Sequence, residues 1–352
     1  MAEKAEKIID LRSDTVTRPS EEMYVSIKNA SCQDAFLGDD PSTKELEKVC
    51  AKLFGFEDAI FVTSCTLANQ LAIKTQTSSG DEIVTDYSYH INYYEAAAVS
   101  SLSGVHINTL KTADGIITCE NLKNLLFSRN KSRFNSILKM LCLENTINYH
   151  SGKIFPFSKL KEVSKFAKST GMLIHLDGAR IFNAIAEEQN ILPNAFSLVA
   201  DSMSISFTKG LGAPFGSILM GTKSLIKKAS IYNKWYGGGM HQSGLMAECA
   251  LFAIKNKLSL IKKDNEKAKS LAKLIAPKIK ILPVETNIII LDLSEIGISA
   301  EKFANTIRRK KILVYQWSEY KVRIVMHNDI AEKDITFIAD EILKAFNKEC
   351  VI

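Results

Sequence analysis

Apolar residues along this chain follow two alternating rhythms. Short runs rich in large aliphatic side chains recur at 59–63, 82–85, 137–143, 172–176, 203–207 and 217–220. They are too short for helices and are bounded by polar or glycine-bearing turns, so they are expected as strands. Between them, apolar positions recur at helical spacing. The stretch 158–169 illustrates it, with Ser158 in the cap position, Leu160, Val163 and Phe166 on one face, and Gly171 just past the end. Strands alternating with helices predict an α/β fold with a mostly parallel sheet, whose sites gather at the carboxyl ends of the strands. After a helical region at 241–276 the pattern changes. Strands are expected at 286–293 and 322–326, and helices at 300–309 and 331–347. A large domain over 21–250 and a small C-terminal α/β domain over 251–352 follow, although no Pro/Gly-rich linker marks the boundary.

Composition narrows the class further. The 352 residues are 46% hydrophobic and 24% charged, as in a soluble globular protein able to bury a large core. The net charge is only +6 and the lysines are dispersed. Their richest stretch, 255–280, alternates with Leu and Ile as a solvated helix face does, so neither nucleic acid nor membrane is expected as a partner. No apolar run has the length of a membrane span. Residues 1–7 are charged and lack the apolar centre of a signal peptide. Seven cysteines without a CxxC pair fit a reducing, cytoplasmic compartment. The six histidines show no metal-ligand spacing, and no metal is expected.

The candidate chemistry sits where two of the apolar runs end. Ser206-Phe207-Thr208-Lys209-Gly210-Leu211-Gly212-Ala213-Pro214 puts a lysine at the end of one run, before a glycine-rich turn. Asp177-Gly178-Ala179-Arg180 puts an aspartate and an arginine at the end of another. A lysine to hold an aldehyde and a carboxylate to keep a pyridine nitrogen protonated are what pyridoxal 5'-phosphate (PLP) chemistry needs. A phosphate would sit on the backbone N–H groups of Ser64-Cys65-Thr66, between a strand and a helix start. Arg180 and Arg323 are candidates for a substrate carboxylate, and His90 could stack on the cofactor ring.

Each assignment has a plain competitor. Asp177-Gly178 is a common turn dipeptide, Thr66 could be a helix cap, Cys65 a packed small residue, His90 structural, and Arg323 half of a surface ion pair. Their shared position at element ends favours the chemical reading. The glycines from Gly210 to Gly216 also suggest a dinucleotide turn, but Pro214 and the strand-like run after Gly216 oppose the helix that such a turn requires.

The chain resembles the low-specificity L-threonine aldolases among the aspartate aminotransferase-like, fold type I PLP enzymes. The motifs that carry this are Asp10-Leu11-Arg12-Ser13-Asp14-Thr15-Val16-Thr17, Gly38-Asp39-Asp40-Pro41, Ala68-Asn69-Gln70, Leu143-Glu144-Asn145-Thr146, Asp177-Gly178-Ala179-Arg180, Lys209-Gly210-Leu211-Gly212-Ala213-Pro214 and Gly237-Gly238-Gly239-Met240. The resemblance implies retro-aldol cleavage of a β-hydroxy-α-amino acid to glycine and an aldehyde. It makes Lys209 and His90 catalytic and Asp177 the partner of the ring nitrogen. Cys65 and Thr66 would hold the phosphate, and Ser13, Arg180 and Arg323 the substrate carboxylate. Lys234 would reach a neighbouring subunit's cofactor in a homo-oligomer with shared sites, and His90, Arg180 and His241 would also contact the cofactor. The segment 1–20 would contribute to the site.

Several positions depart from the family pattern. Ile147 stands where a histidine usually faces the substrate hydroxyl, Cys65 where the phosphate turn usually has glycine, and His241 where arginine is usual. Weak activity on threonine, or a bulkier and more apolar β-substituent beside Ile147, is therefore expected. The same scaffold could also support β-elimination, racemisation or aldol transfer. A noncatalytic binding protein would have no need of Lys209 and Asp177.

Overall fold

The structure is a computed structural model that describes residues 8–350 other than 130, 131, 133 and 189; the charged stretch 1–7 lies outside the described residues. In chain order the strands are β1 (Ile9–Asp10), β2 (Asp58–Val62), β3 (Glu82–Asp86), β4 (His106–Leu110), β5 (Leu138–Glu144), β6 (Leu173–Asp177), β7 (Ser202–Ser206), β8 (Ser217–Gly221), β9 (Ile288–Asp292), β10 (Ile312–Leu313), β11 (Tyr315–Gln316) and β12 (Lys321–Val325).

The central sheet has seven strands in the order β2-β8-β7-β6-β5-β3-β4. Strand β8 runs antiparallel to both its neighbours, and the other pairings are parallel. β3, β7 and β8 are buried along their whole length, which explains the apolar and small residues of β7 and β8, while β3 pairs its buried Glu82 with Arg129. β4 was not anticipated. It is an edge strand with half-exposed residues, and His-Ile-Asn-Thr-Leu carries no apolar run.

The helix at 158–169 starts two residues earlier than the cap pattern suggests. It spans Phe157–Ser169 with Pro156 in the cap position, and Ser158 lies inside its first turn. A long-range contact replaces the side-chain cap: Glu188 Oε1 accepts from Phe157 N at 3.0 Å.

The region at 241–276 forms two helices, Gly244–Asn256 and Leu258–Ile275. The expected boundary at 250 falls inside the first, whose Ala247, Ala250 and Ala253 belong to the large core. The second helix joins the two cores, with Ile261 in the large one and Ala268, Leu271 and Ile275 in the small one. β11, β12 and β9 form the small antiparallel sheet. β1 pairs in parallel with β10, and Val325 N donates to Leu11 O at 2.9 Å. The N-terminal segment is thereby fixed to the small domain just before Arg12-Ser13-Asp14 enters the site.

Candidate active site

The site lies where β5, β6 and β7 end side by side. Glu144 ends β5 and Asp177 ends β6, directly opposite each other in register, and Asp177 pairs across with Ser204 of β7. Gly178 lets the chain turn tightly after Asp177, because a Cβ there would lie 2.7 Å from Met203 Cε and 2.8 Å from Ser204 O. Beyond β7, Gly212 takes φ +72° and its N–H closes a turn on Lys209 O at 2.8 Å. The glycines read from the sequence as a turn therefore set the position of Lys209.

A cavity of about 170 Å³ joins these strand ends to the start of the helix Cys65–Gln76. Ser64, Cys65, Thr66, His90, Glu144, Asp177 and Lys209 line it. Ser64 caps that helix through Leu67 N at 3.2 Å, so the first-turn N–H groups of Cys65 and Thr66 remain available to an anion. Thr146 Oγ1 is buried on the cavity wall with no partner among the described residues. Cys65 points inward, with its Sγ 3.5 Å from Ser204 Oγ and 3.7 Å from Asp177 Oδ1. Burial and the Asp177 charge push its thiol well above the usual range, so it is a neutral packed group and no nucleophile.

Asp177 is held by a relay through Asn69 of the Ala68-Asn69-Gln70 motif to Glu95, which no motif announced. Asn69 Nδ2 donates to Asp177 Oδ2 at 2.8 Å and to Glu95 Oε1 at 2.9 Å, and Glu95 Oε1 also meets His90 Nδ1 at 2.9 Å. Asn69 Oδ1 accepts from Ser204 Oγ at 2.7 Å and lies 3.0 Å from His175 Nε2. Burial would raise the pKa of Asp177, but His90, Lys209 and the Asn69 hydrogen bond outweigh it and hold the carboxyl below its usual value. A buried carboxylate kept ionised in this way suits a protonated ring nitrogen.

The neighbouring Glu144 behaves oppositely. Burial and the adjacent Asp177 charge push it up to about 7, while its oxygens accept from His90 N and Asn148 N. Burial, with Arg180 nearby, pushes Lys209 below the ordinary lysine value, which favours a reactive amine. In His90, burial opposes the charged ring, yet Glu95 and Asp177 raise its pKa above the ordinary value.

A wider opening of about 510 Å³ leads to Lys209, lined by Ser13, His90, Tyr94, Asn148, Arg180 and Arg323 among others. Seven of the expected residues thus converge here: Ser13, Cys65, Thr66, His90, Asp177, Arg180 and Lys209, with Arg323 completing the rim. Arg180 spends two donors on Asp14, Nε to Oδ2 at 2.7 Å and Nη2 to Oδ1 at 2.6 Å. Its remaining contact is Nη1 to Asn148 Oδ1 at 3.3 Å. Arg323 is bonded to neutral acceptors instead, Nη1 donating to Asn148 Oδ1 at 3.2 Å and Nη2 to Arg12 O at 3.1 Å. Its Nε is buried without a partner among the described residues, and its guanidinium stacks on Trp317 at 4.7 Å and Tyr315 at 4.9 Å. Burial and the nearby Arg180 lower it to about 10, where it stays charged at neutral pH.

One expectation looks different in the fold. Ile147 does not face the opening. It is fully buried in the core, packed beneath Gly115, where a Cβ would lie 2.8 Å from Ile147 Cγ2, and Asn148 lines the site instead. An apolar side chain beside a glycine-made gap gains more from burial than from a wet cavity. Lys234 and His241 are not brought to Lys209 within the chain. Lys234 lies over the Phe36 ring at 4.5 Å, and His241 Nδ1 meets Asp34 Oδ2 at 2.9 Å.

The comparisons with known proteins agree with this geometry. Residues 10–295 match the β-eliminating lyase family. A probable low-specificity L-threonine aldolase 2 of Arabidopsis thaliana is 35% identical over 97% of this chain and 98% of its own length. The low specificity L-threonine aldolase of Escherichia coli K12 is 32% identical over 94% and 97%. A solved threonine aldolase structure from Leishmania major superposes with a TM-score of 0.83 at 18% identity, covering 96% of this chain and 99% of that one. With the lysine, the carboxylate and the helix start assembled in one cavity, the chain belongs to the β-eliminating lyase family and is a PLP-dependent lyase of fold type I.

Proposed function

We propose that this protein cleaves a β-hydroxy-α-amino acid of the threonine or allo-threonine type to glycine and an aldehyde. The observation that carries the reading is the relay Asp177–Asn69–Glu95–His90 facing Lys209 across one cavity. The cavity brings together an ionised carboxylate, a lysine of lowered pKa and an imidazole held by Glu95. Lys209 would hold PLP, Asp177 would keep its nitrogen protonated, and the N–H groups of Cys65 and Thr66 would hold its phosphate. Bound PLP supplies an electron sink for the pair released when Cα–Cβ breaks.

This chain's own residues would do the rest. Arg323 binds the substrate carboxylate, with Ser13 at the rim and Asn148 spacing the two arginines. Arg180, anchored on Asp14, supplies positive potential beneath the carboxylate. His90, when neutral, accepts the β-hydroxyl proton as Cβ–O becomes a carbonyl, and a proton returned to Cα completes glycine. Lys234 and His241 would serve the cofactor of an adjoining subunit, making the working form a homo-oligomer, dimer or tetramer, of the cytoplasm. The test is aldehyde release from L-threonine by PLP-loaded protein, which Lys209→Ala should abolish. Release that survives Lys209→Ala would refute the assignment.

A further inference from the structure

Two guanidinium groups at the opening to Lys209 meet on one neutral oxygen. Arg180 Nη1 donates to Asn148 Oδ1 at 3.3 Å, and Arg323 Nη1 donates to the same atom at 3.2 Å. A guanidinium only donates, so the atom between them must be the amide oxygen. Asp14 balances the charge of Arg180 at 2.6 Å, whereas Arg323 meets only neutral acceptors, Asn148 Oδ1 and Arg12 O. The pair therefore carries one surplus positive charge, and an uncharged oxygen sits where a carboxylate oxygen would accept from both. The backbone beneath that oxygen is fixed. Asn148 N donates to Glu144 Oε1 at 2.8 Å, and the preceding Ile147 is fully buried with its N–H on Lys153 O at 2.8 Å. The amide itself is held less firmly. Its Nδ2 holds no acceptor among the described residues, and the side chain borders both the small cavity and the wider opening.

We propose that Asn148 is a displaceable place-holder for the substrate carboxylate. Its amide oxygen keeps the two guanidinium groups together in the free enzyme and gives way when a carboxylate oxygen arrives. The arriving group brings the charge that the amide lacks, so the exchange favours an anion over a neutral ligand. Asn148 thus acts through the arginines, as a positioning residue that sets how strongly a carboxylate is preferred. The inference rests on the reading that Arg323 receives the substrate carboxylate.

The test uses binding, so it does not depend on the retro-aldol step. PLP-loaded protein is titrated with glycine, and with methylamine as the matching amine without a carboxylate, following cofactor absorbance. In Asn148→Ala the competing oxygen is gone. Glycine should then bind roughly 3- to 10-fold tighter, the range of one net hydrogen bond, and methylamine as before. In Asn148→Asp a permanent carboxylate holds the seat, and glycine should bind at least ~10-fold more weakly because like charges meet there. Unchanged or weaker glycine binding in Asn148→Ala would overturn the proposal, since the amide would then support the carboxylate or ignore it. An equal shift for methylamine would overturn it too. If Asn148→Ala does not fold, the isosteric Asn148→Asp decides, and unchanged glycine affinity there would overturn the place-holder. Glycine bound no more tightly than methylamine by the wild type would refute the carboxylate seat itself. Absence of aldehyde release with these binding shifts present would sink the aldolase reading alone.

Discussion

At the scale of single residues, the chemistry depends on charges that burial would suppress without partners. Asp177 stays ionised because Asn69, His90 and Lys209 face it. Asp177→Asn keeps the shape and removes the charge, so aldehyde release should fall by ~100-fold or more, with a shifted cofactor absorbance; an unchanged rate would show that the ring nitrogen is not held there. His90 gives a prediction with a definite sign. Its pKa is raised, burial being outweighed by Glu95 and Asp177, and it can accept a proton only when neutral. The rate should therefore rise with pH through a value above the ordinary imidazole range. Glu95→Gln should move that limb to lower pH, and a limb that stays in place would exclude His90 as the base. Lys209 and Asp177 were legible in the sequence because each ends an apolar run beside a glycine turn. Glu95 was not, because its role comes from a contact with an asparagine 26 positions away. Ile147 was misjudged because identity alone does not say which way a side chain turns.

At the scale of elements, strands and turns do the positioning. Gly178 sits against β7, and Gly178→Ala should cost about 1–3 kcal/mol by overpacking. A fall in the denaturation midpoint at unchanged m would register it, and an unchanged midpoint would show that Met203 yields freely. The buried strands were readable because their apolar runs are continuous. β4 was hidden because an edge strand half in water needs no such run. The start of the helix Phe157–Ser169 was displaced because its first N–H is satisfied by Glu188, from a different element. Local signals located elements well, whereas contacts between elements set their ends.

At the scale of the whole molecule, the two cores meet in one helix, and the N-terminal segment ties the small domain to the site. Lys234 lines a cavity separate from the one that holds Lys209. If Lys234 serves an adjoining subunit, co-folded Lys209→Ala and Lys234→Ala chains should regain about a quarter of wild-type activity, because half of the dimers would each hold one complete site. No recovery would show that Lys234 does not serve an adjoining subunit's site. The central claim, that Lys209 and Asp177 drive carbon–carbon cleavage, is tested most directly by measuring acetaldehyde release from L-threonine and L-allo-threonine by PLP-loaded protein. The account predicts release that Lys209→Ala abolishes; no release from either diastereomer, or release that survives that substitution, would contradict it.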